Sequence, residues 1–156
     1  MVLPFIICGS PALGHTIRGS DEHFARRSTT GFDSIGPKEE RKQNLDLAWG
    51  QFIPNDVGHD EYLQWAEMAE TEPLYTINLG TGDMNDAVKI MEYTNHEGGT
   101  YWSDLRKEYG HEKPYDVKIW YLGNEVDGYW QIGSWQNNPK GYGQLANETS
   151  KLMKWV

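Results

Sequence analysis

A chain of 156 residues is long enough for one domain with a respectable core, and its formal net charge of -9, with no basic stripe interleaved with aromatics, excludes nucleic acid as a partner. Aromatic residues make up 13% of the chain, with seven Trp and nine Tyr; in so acidic a sequence this points to core packing or ligand stacking, sugars included, rather than to disorder. Cys8 is the only cysteine, so an intrachain disulfide and a cysteine-based zinc site are both excluded.

In chain order, the apolar run Val2 to Cys8 lacks a basic leader and stops at Gly9 and Pro11, so a strand or a damaged segment is a plainer expectation than a signal peptide. No stretch approaches the roughly 20 apolar residues that span a bilayer, so no membrane partner is expected. Up to residue 33 the chain clusters Gly, Ser, Thr and Arg without a period, and the composition changes at about Gly31. Residues 1–30 are therefore left unassigned, and 31–156 are read as one unit. From Asp60, the positions Tyr62, Trp65, Ala66 and Ala69 recur at helical spacing until Pro73. Leu74 to Leu79 is rich in β-preferring residues and reads as a strand ending at Gly80 and Gly82. Asp83 is a plausible N-cap for a helix carrying Met84, Ala87, Val88 and Met91, which fades over Asn95 to Gly99. A second strand is expected over Asp116 to Leu122, between Pro114 and Gly123, and a last helical stripe runs from Tyr142 to Val156. This alternation predicts an α/β fold with a parallel sheet.

The chemistry concentrates directly after the second strand, in Gly123-Asn124-Glu125-Val126-Asp127-Gly128-Tyr129-Trp130. Active residues of α/β sheets and barrels lie at the carboxyl ends of strands, where loops converge on one ligand. A glycosidase needs a carboxyl group to protonate the leaving oxygen, a hydrogen-bonding neighbour for the adjacent sugar hydroxyl and an aromatic face for the ring. Glu125, Asn124 and Trp130 are of those three types; spacing alone leaves a capping or solvated Asn-Glu pair open as the alternative. The five histidines, His15, His23, His59, His96 and His111, show no i, i+4 pairing, so no metal and no cofactor is expected. Asp127, Glu39 and Glu40 are weak candidates for a second catalytic carboxylate.

Three successive landmarks, Ile35-Gly36-Pro37-Lys38-Glu39-Glu40-Arg41, Asn44-Leu45-Asp46-Leu47-Ala48-Trp49 and Asn78-Leu79-Gly80-Thr81-Gly82, together with Glu97 to Arg106, Gly110 to Lys118 and Gly123 to Gly133, resemble the catalytic barrel of glycoside hydrolase family 51, the retaining α-L-arabinofuranosidases. The resemblance covers about Gly31 to Val156. It implies part of a (β/α)8 TIM barrel, roughly strands two to four with their helices, with Leu74 to Leu79 as the third strand and Asp116 to Leu122 as the fourth. It further implies Glu125 as general acid/base, Asn124 as the ligand of the sugar 2-hydroxyl, and Trp130 and Trp49 as pocket-lining residues, each tryptophan having a core position as its alternative. The implied partners are arabinose-containing oligosaccharides or polysaccharides; the complete enzyme is expected to be a homo-oligomer and cytoplasmic, with secretion left open. Three features depart from the family. Ile17-Arg18-Gly19-Ser20-Asp21-Glu22-His23-Phe24 stands where an Arg-x-Pro-Gly-Gly-Asn segment is expected, the family's sugar-binding glutamate near strand one has no visible counterpart, and the nucleophilic glutamate would lie beyond Val156. A barrel takes about 250 residues. The chain is accordingly expected to be a truncated or frame-damaged piece, either of an active glycosidase or, taken alone, a non-catalytic sugar-binding or interaction unit.

Overall fold

A computed structural model describes residues 31–46 and 51–156. The expectations for residues 1–30 and for Trp49 lie outside the described residues. Two short 3-10 turns, Gly31–Ser34 and Lys38–Glu40, lead into a hairpin of β1 (Asn44–Asp46) and β2 (Gln51–Ile53), which pair antiparallel with Leu45 opposite Phe52. Four helices and two further strands follow: α1 (His59–Met68), β3 (Leu74–Ile77), α2 (Met84–Asn95), α3 (Tyr101–Glu108), β4 (Ile119–Leu122) and α4 (Pro139–Met153). Strands β3 and β4 are parallel and in register from Leu74 opposite Ile119 to Ile77 opposite Leu122. Parallel neighbours require a crossover, supplied here by α2 and α3. None of the described helices is long and apolar enough to cross a membrane.

The first helix starts where Gly58 meets Ser34. A Cβ on Gly58 would lie 1.9 Å from the Ser34 carbonyl oxygen, so this approach admits only glycine. Glu61 accepts the Gly58 N–H at 2.8 Å and receives both terminal nitrogens of Arg41, at 2.8 and 3.0 Å. The same guanidinium donates to the carbonyls of Gly36 and Asn55, so one side chain fixes two turns against the start of α1. The buried stripe of α1 is His59, Asp60, Tyr62, Leu63 and Ala66, rather than the expected row through Trp65 and Ala69. Trp65 is 43% exposed. The stripe is rotated because two polar residues enter it with partners: His59 hydrogen-bonds the Tyr75 hydroxyl, and Asp60 accepts from Tyr93 at 2.6 Å and Tyr115 at 2.8 Å. Buried polar groups are tolerated when paired in this way.

Asp83 caps α2 as expected, its carboxylate accepting from Asn85 and Asp86 N–H groups. Helix α3 was not legible from apolar spacing, since its buried face consists of Ser103 and Arg106. Strand β4 begins three positions later than Asp116. Asp116 has φ 54°, and the side chain of Asn95 takes both the N–H and the C=O of Val117, at 2.9 and 2.8 Å, so a side chain stands where a strand would pair. Helix α4 starts earlier than Tyr142, at Pro139 with Asn138 as cap, and it ends at Met153.

Tyr75 and Ile77 of β3 belong to the core, with Trp120 and Leu122 of β4 on the same face, and α1, α2 and α4 pack there through Tyr62, Leu63, Ala87, Ile90, Met91 and Met153. The other face carries Leu74, Thr76, Ile119 and Tyr121; Tyr121 is 50% exposed. Behind this sheet Arg106 is wholly buried and donates to the carbonyls of Tyr93, His96 and His111 at 2.8–3.1 Å. Each acceptor left without its donor costs about 1–3 kcal/mol. Arg106→Met is therefore expected to destabilise the chain by on the order of 3 kcal/mol, and Arg106→Lys to recover little of it because an ammonium lacks the planar fork. Urea unfolding that gives either variant a wild-type midpoint would contradict this role.

Candidate active site

The segment from Gly123 to Asn138 grows out of the carboxyl end of β4 and folds on itself. Gly123 extends the sheet by one bond, its N–H reaching the Ile77 carbonyl at 3.0 Å, and its φ of 96° turns the chain away from the strand. Glu125 has φ 48°, a left-handed conformation uncommon outside glycine. Its carbonyl accepts the Gly128 N–H, and further turn bonds run from Gln131 to Gly128 and from Ser134 to Gln131. The Trp135 N–H closes the loop on the Val126 carbonyl at 2.9 Å. At the exit, Asn138 caps α4 by accepting the Gly141 N–H, and Tyr142 of that helix donates its hydroxyl to the Leu122 carbonyl at 2.8 Å. Both ends of the loop are thus fixed to the last residues of β4.

Glu125 is exposed, and its Oε2 accepts a hydrogen bond from Gln131 Nε2 at 3.1 Å. Asn124 is adjacent and half-buried. Trp130 is 65% exposed and meets Tyr129 edge to face at 5.1 Å between ring centroids. The described residues therefore place Asn124, Glu125 and Trp130 on one loop, and Trp130 lies outside the core that these residues form. Trp49, outside the described residues, is not placed.

Hydropathy reasoning overlooked three neighbours: Tyr129, Trp135 and Gln131. Tyr129 and Trp135 are exposed beside the carboxylate loop. Gln131 is a polar loop residue that would be assigned to solvent, yet it is buried, and only its place six residues after Glu125 could have drawn notice.

A second loop, following β3, supports the first. Asn78 Oδ1 accepts the N–H groups of Gly80 and Thr81, folding residues 78–82 over the strand end. The two loops touch through glycines. A Cβ on Gly133 would lie 2.9 Å from both Gly80 Cα and the Leu79 carbonyl, and one on Gly80 would lie 2.8 Å from the Ile132 carbonyl.

Comparison with known proteins gives the family of this chain. Residues 30–144 match the family model described as the alpha-L-arabinofuranosidase 1 domain. The chain belongs to that family, within the glycoside hydrolases of family 51. It is 50% identical over 124 residues to the intracellular exo-α-(1→5)-L-arabinofuranosidase 1 of Bacillus subtilis and 42% identical over 124 residues to an intracellular exo-α-(1→5)-L-arabinofuranosidase of Acetivibrio thermocellus; each match covers 80% of this chain and 24% of the relative. The crystal structure of the α-L-arabinofuranosidase from Thermotoga maritima in complex with arabinose is similar with a TM-score of 0.76 and 37% identity, over 92% of this chain and 30% of that one. The chain thus spans about a quarter of the length of the curated relatives it matches.

The glycine contact generates a test. Gly133 has φ 77°, so Gly133→Ala combines backbone strain with a clash against main-chain atoms that cannot swing aside. A loss of about 1–3 kcal/mol is expected, together with faster cleavage of the 123–138 loop in limited proteolysis. An unchanged denaturation midpoint and unchanged cleavage would mean that the two loops do not need this contact.

Proposed function

We propose that residues 31–156 form the acid/base-bearing part of a retaining α-L-arabinofuranosidase, acting on terminal non-reducing α-L-arabinofuranosyl residues of arabinose-containing oligosaccharides or polysaccharides. The observation that carries this reading is the exposed Glu125 carboxyl group, on the loop that follows the carboxyl end of β4 and that also carries the exposed Trp130, in a chain of this family. Residues 1–30 stay outside the assignment.

In the proposed reaction Glu125 protonates the glycosidic oxygen as the bond to the anomeric carbon breaks, while a carboxylate outside this sequence attacks that carbon from the opposite face. The leaving glycan departs, and the Glu125 carboxylate then takes a proton from the water that hydrolyses the glycosyl intermediate, with net retention. Asn124 would bind the 2-hydroxyl, a contact that strengthens as the ring gains oxocarbenium character. Trp130 offers a flat apolar face to a sugar ring, and Trp49 is assigned the same role on resemblance alone.

A partial (β/α)8 barrel is the architecture that best accounts for the sheet. Parallel sheets bury both faces, whereas here α1, α2 and α4 cover one face and the other leaves Ile119 and Tyr121 exposed. In a barrel that second face would be the filled interior. The intracellular designation of the relatives supports a cytoplasmic setting, and a homo-oligomeric complete enzyme is retained as part of the same reading.

For the 156-residue chain alone, a second reading is a sugar-binding unit without turnover. Retaining hydrolysis needs two carboxyl groups about 5–5.5 Å apart, and Glu125 is the one carboxylate here with an assigned role, whereas Tyr129 and Trp130 already offer exposed rings. The purified chain is expected to release no aryl alcohol from an aryl arabinofuranoside. Release that disappears in Glu125→Gln would demonstrate a second catalytic carboxylate within these residues.

The role of Glu125 itself is tested in a complete enzyme, obtained by placing residues 31–156 in the matching segment of the Bacillus subtilis relative. Glu125→Ala should slow arabino-oligosaccharides by about 10²–10⁴-fold and aryl substrates with good leaving groups far less. Azide should restore turnover of the aryl substrate and give a glycosyl azide of retained configuration. Asn124→Ala should depress both substrate classes together. Equal losses on both classes for Glu125→Ala, without azide rescue, would assign Glu125 to binding or structure.

A further inference from the structure

We infer that Gln131 is a positioning residue that decides which oxygen of Glu125 carries the catalytic proton. This inference rests on the acid/base reading of Glu125 and deepens it. Gln131 is only 7% exposed although it lies in a loop, and its main chain is held on both sides: its N–H donates to the Gly128 carbonyl at 3.0 Å and its carbonyl accepts from Ser134 at 3.2 Å. From that fixed base the side-chain amide donates Nε2–H to Glu125 Oε2 at 3.1 Å.

An amide nitrogen donates and cannot accept. When Glu125 is protonated, the oxygen facing Gln131 must therefore remain an acceptor, and the proton resides on Oε1. When Glu125 is ionised, the same bond keeps the carboxylate from rotating, so that Oε1 returns to the place from which it gave up its proton. A retaining glycosidase needs this constancy, because one carboxyl group first delivers a proton to the leaving oxygen and later removes one from water at the same place. Glu125 is exposed and attached through a flexible side chain, and the main-chain bonds of its loop fix its Cα but not its carboxyl plane. Gln131 supplies that last constraint. Sub-ångström control of this kind is worth much in rate, since a displacement of about 1 Å can slow a reaction by roughly 10²-fold.

The test uses the completed enzyme described above with two replacements of nearly the same size. Gln131→Leu removes the donor, and Gln131→Glu replaces it with an acceptor. Both are expected to lower kcat on arabino-oligosaccharides, which need the proton, by about 10- to 100-fold, with KM little changed. On aryl substrates whose leaving group departs unprotonated, kcat/KM, which reports this first step, should stay within about threefold. Glu125→Ala run beside them separates the two readings. If Glu125→Ala shows the leaving-group contrast and the Gln131 variants do not, the positioning role falls while the acid/base role stands. If Glu125→Ala lacks the contrast, the acid/base role falls and the inference with it. Equal losses of kcat/KM on both substrate classes in the Gln131 variants, including losses from misfolding, would make Gln131 a structural residue and overturn the proposal.

Discussion

The position of β4, and of the loop that follows it, depends on a buried cation whose hydrogen bonds, among the described residues, all go to main-chain carbonyls. Arg106 is fully enclosed, and burial pulls its pKa down from the ordinary guanidinium value. Its hydrogen bonds go to main-chain carbonyls: those of Tyr93 and His96 at the end of α2 and that of His111 in the turn beyond α3, with longer contacts to the carbonyls of Glu97 and Glu112. The end of a helix is a suitable place for such a group, because its last carbonyls lack intrahelical partners and carry partial negative charge. By tying the end of α2 to residues 111 and 112, Arg106 fixes where the chain re-enters the sheet.

A second set of bonds locks the same region to α1. Tyr93 and Tyr115 converge on the two oxygens of Asp60, and burial together with that carboxylate pushes both hydroxyl pKa values up, so both remain donors. His111 stacks on Tyr115 at 3.8 Å between centroids and reaches Glu67 of α1 at 3.0 Å. The approach to β4 is therefore held from α1, α2 and α3 at once. Its far end, by contrast, opens into a loop that presents Tyr129, Trp130 and Trp135 to solvent. Rigidity behind the strand and exposed aromatic surface ahead of it is the division of labour that a binding loop on a scaffold requires.

What was legible in the sequence follows from which forces leave a trace in hydropathy. Helix α2 was readable to its cap because Asp83 and the row Ala87 to Met91 are respectively a polar cap and an apolar stripe. The loop that carries the candidate site was readable because β-preferring residues stop at Gly123, where β4 ends, and a carboxylate follows two positions on. Helix α3 was hidden because its fully buried side chains, Ser103 and Arg106, are polar, and the half-buried Trp102 and Leu105 that pack against the core are too few to set an apolar period. The same reason displaced the stripe of α1 toward His59 and Asp60. It also concealed Gln131, a polar side chain that is buried and hydrogen-bonded to Glu125. The late start of β4 was hidden differently, since nothing local to Val117 reveals that Asn95, in another element, occupies both of its main-chain groups.

The backbone at Glu125 has a consequence for how this region tolerates change. A left-handed conformation at a residue with a Cβ is less favourable by roughly 1–2 kcal/mol than at glycine, and Glu125 adopts it at the point where its carboxyl group must face outward. Glycine or asparagine at residue 125 would suit this backbone better, so the glutamate is carried at a cost to the fold. On the proposed reading of Glu125 as the acid/base, a homologue relieved of that role would be expected to lose this side chain early.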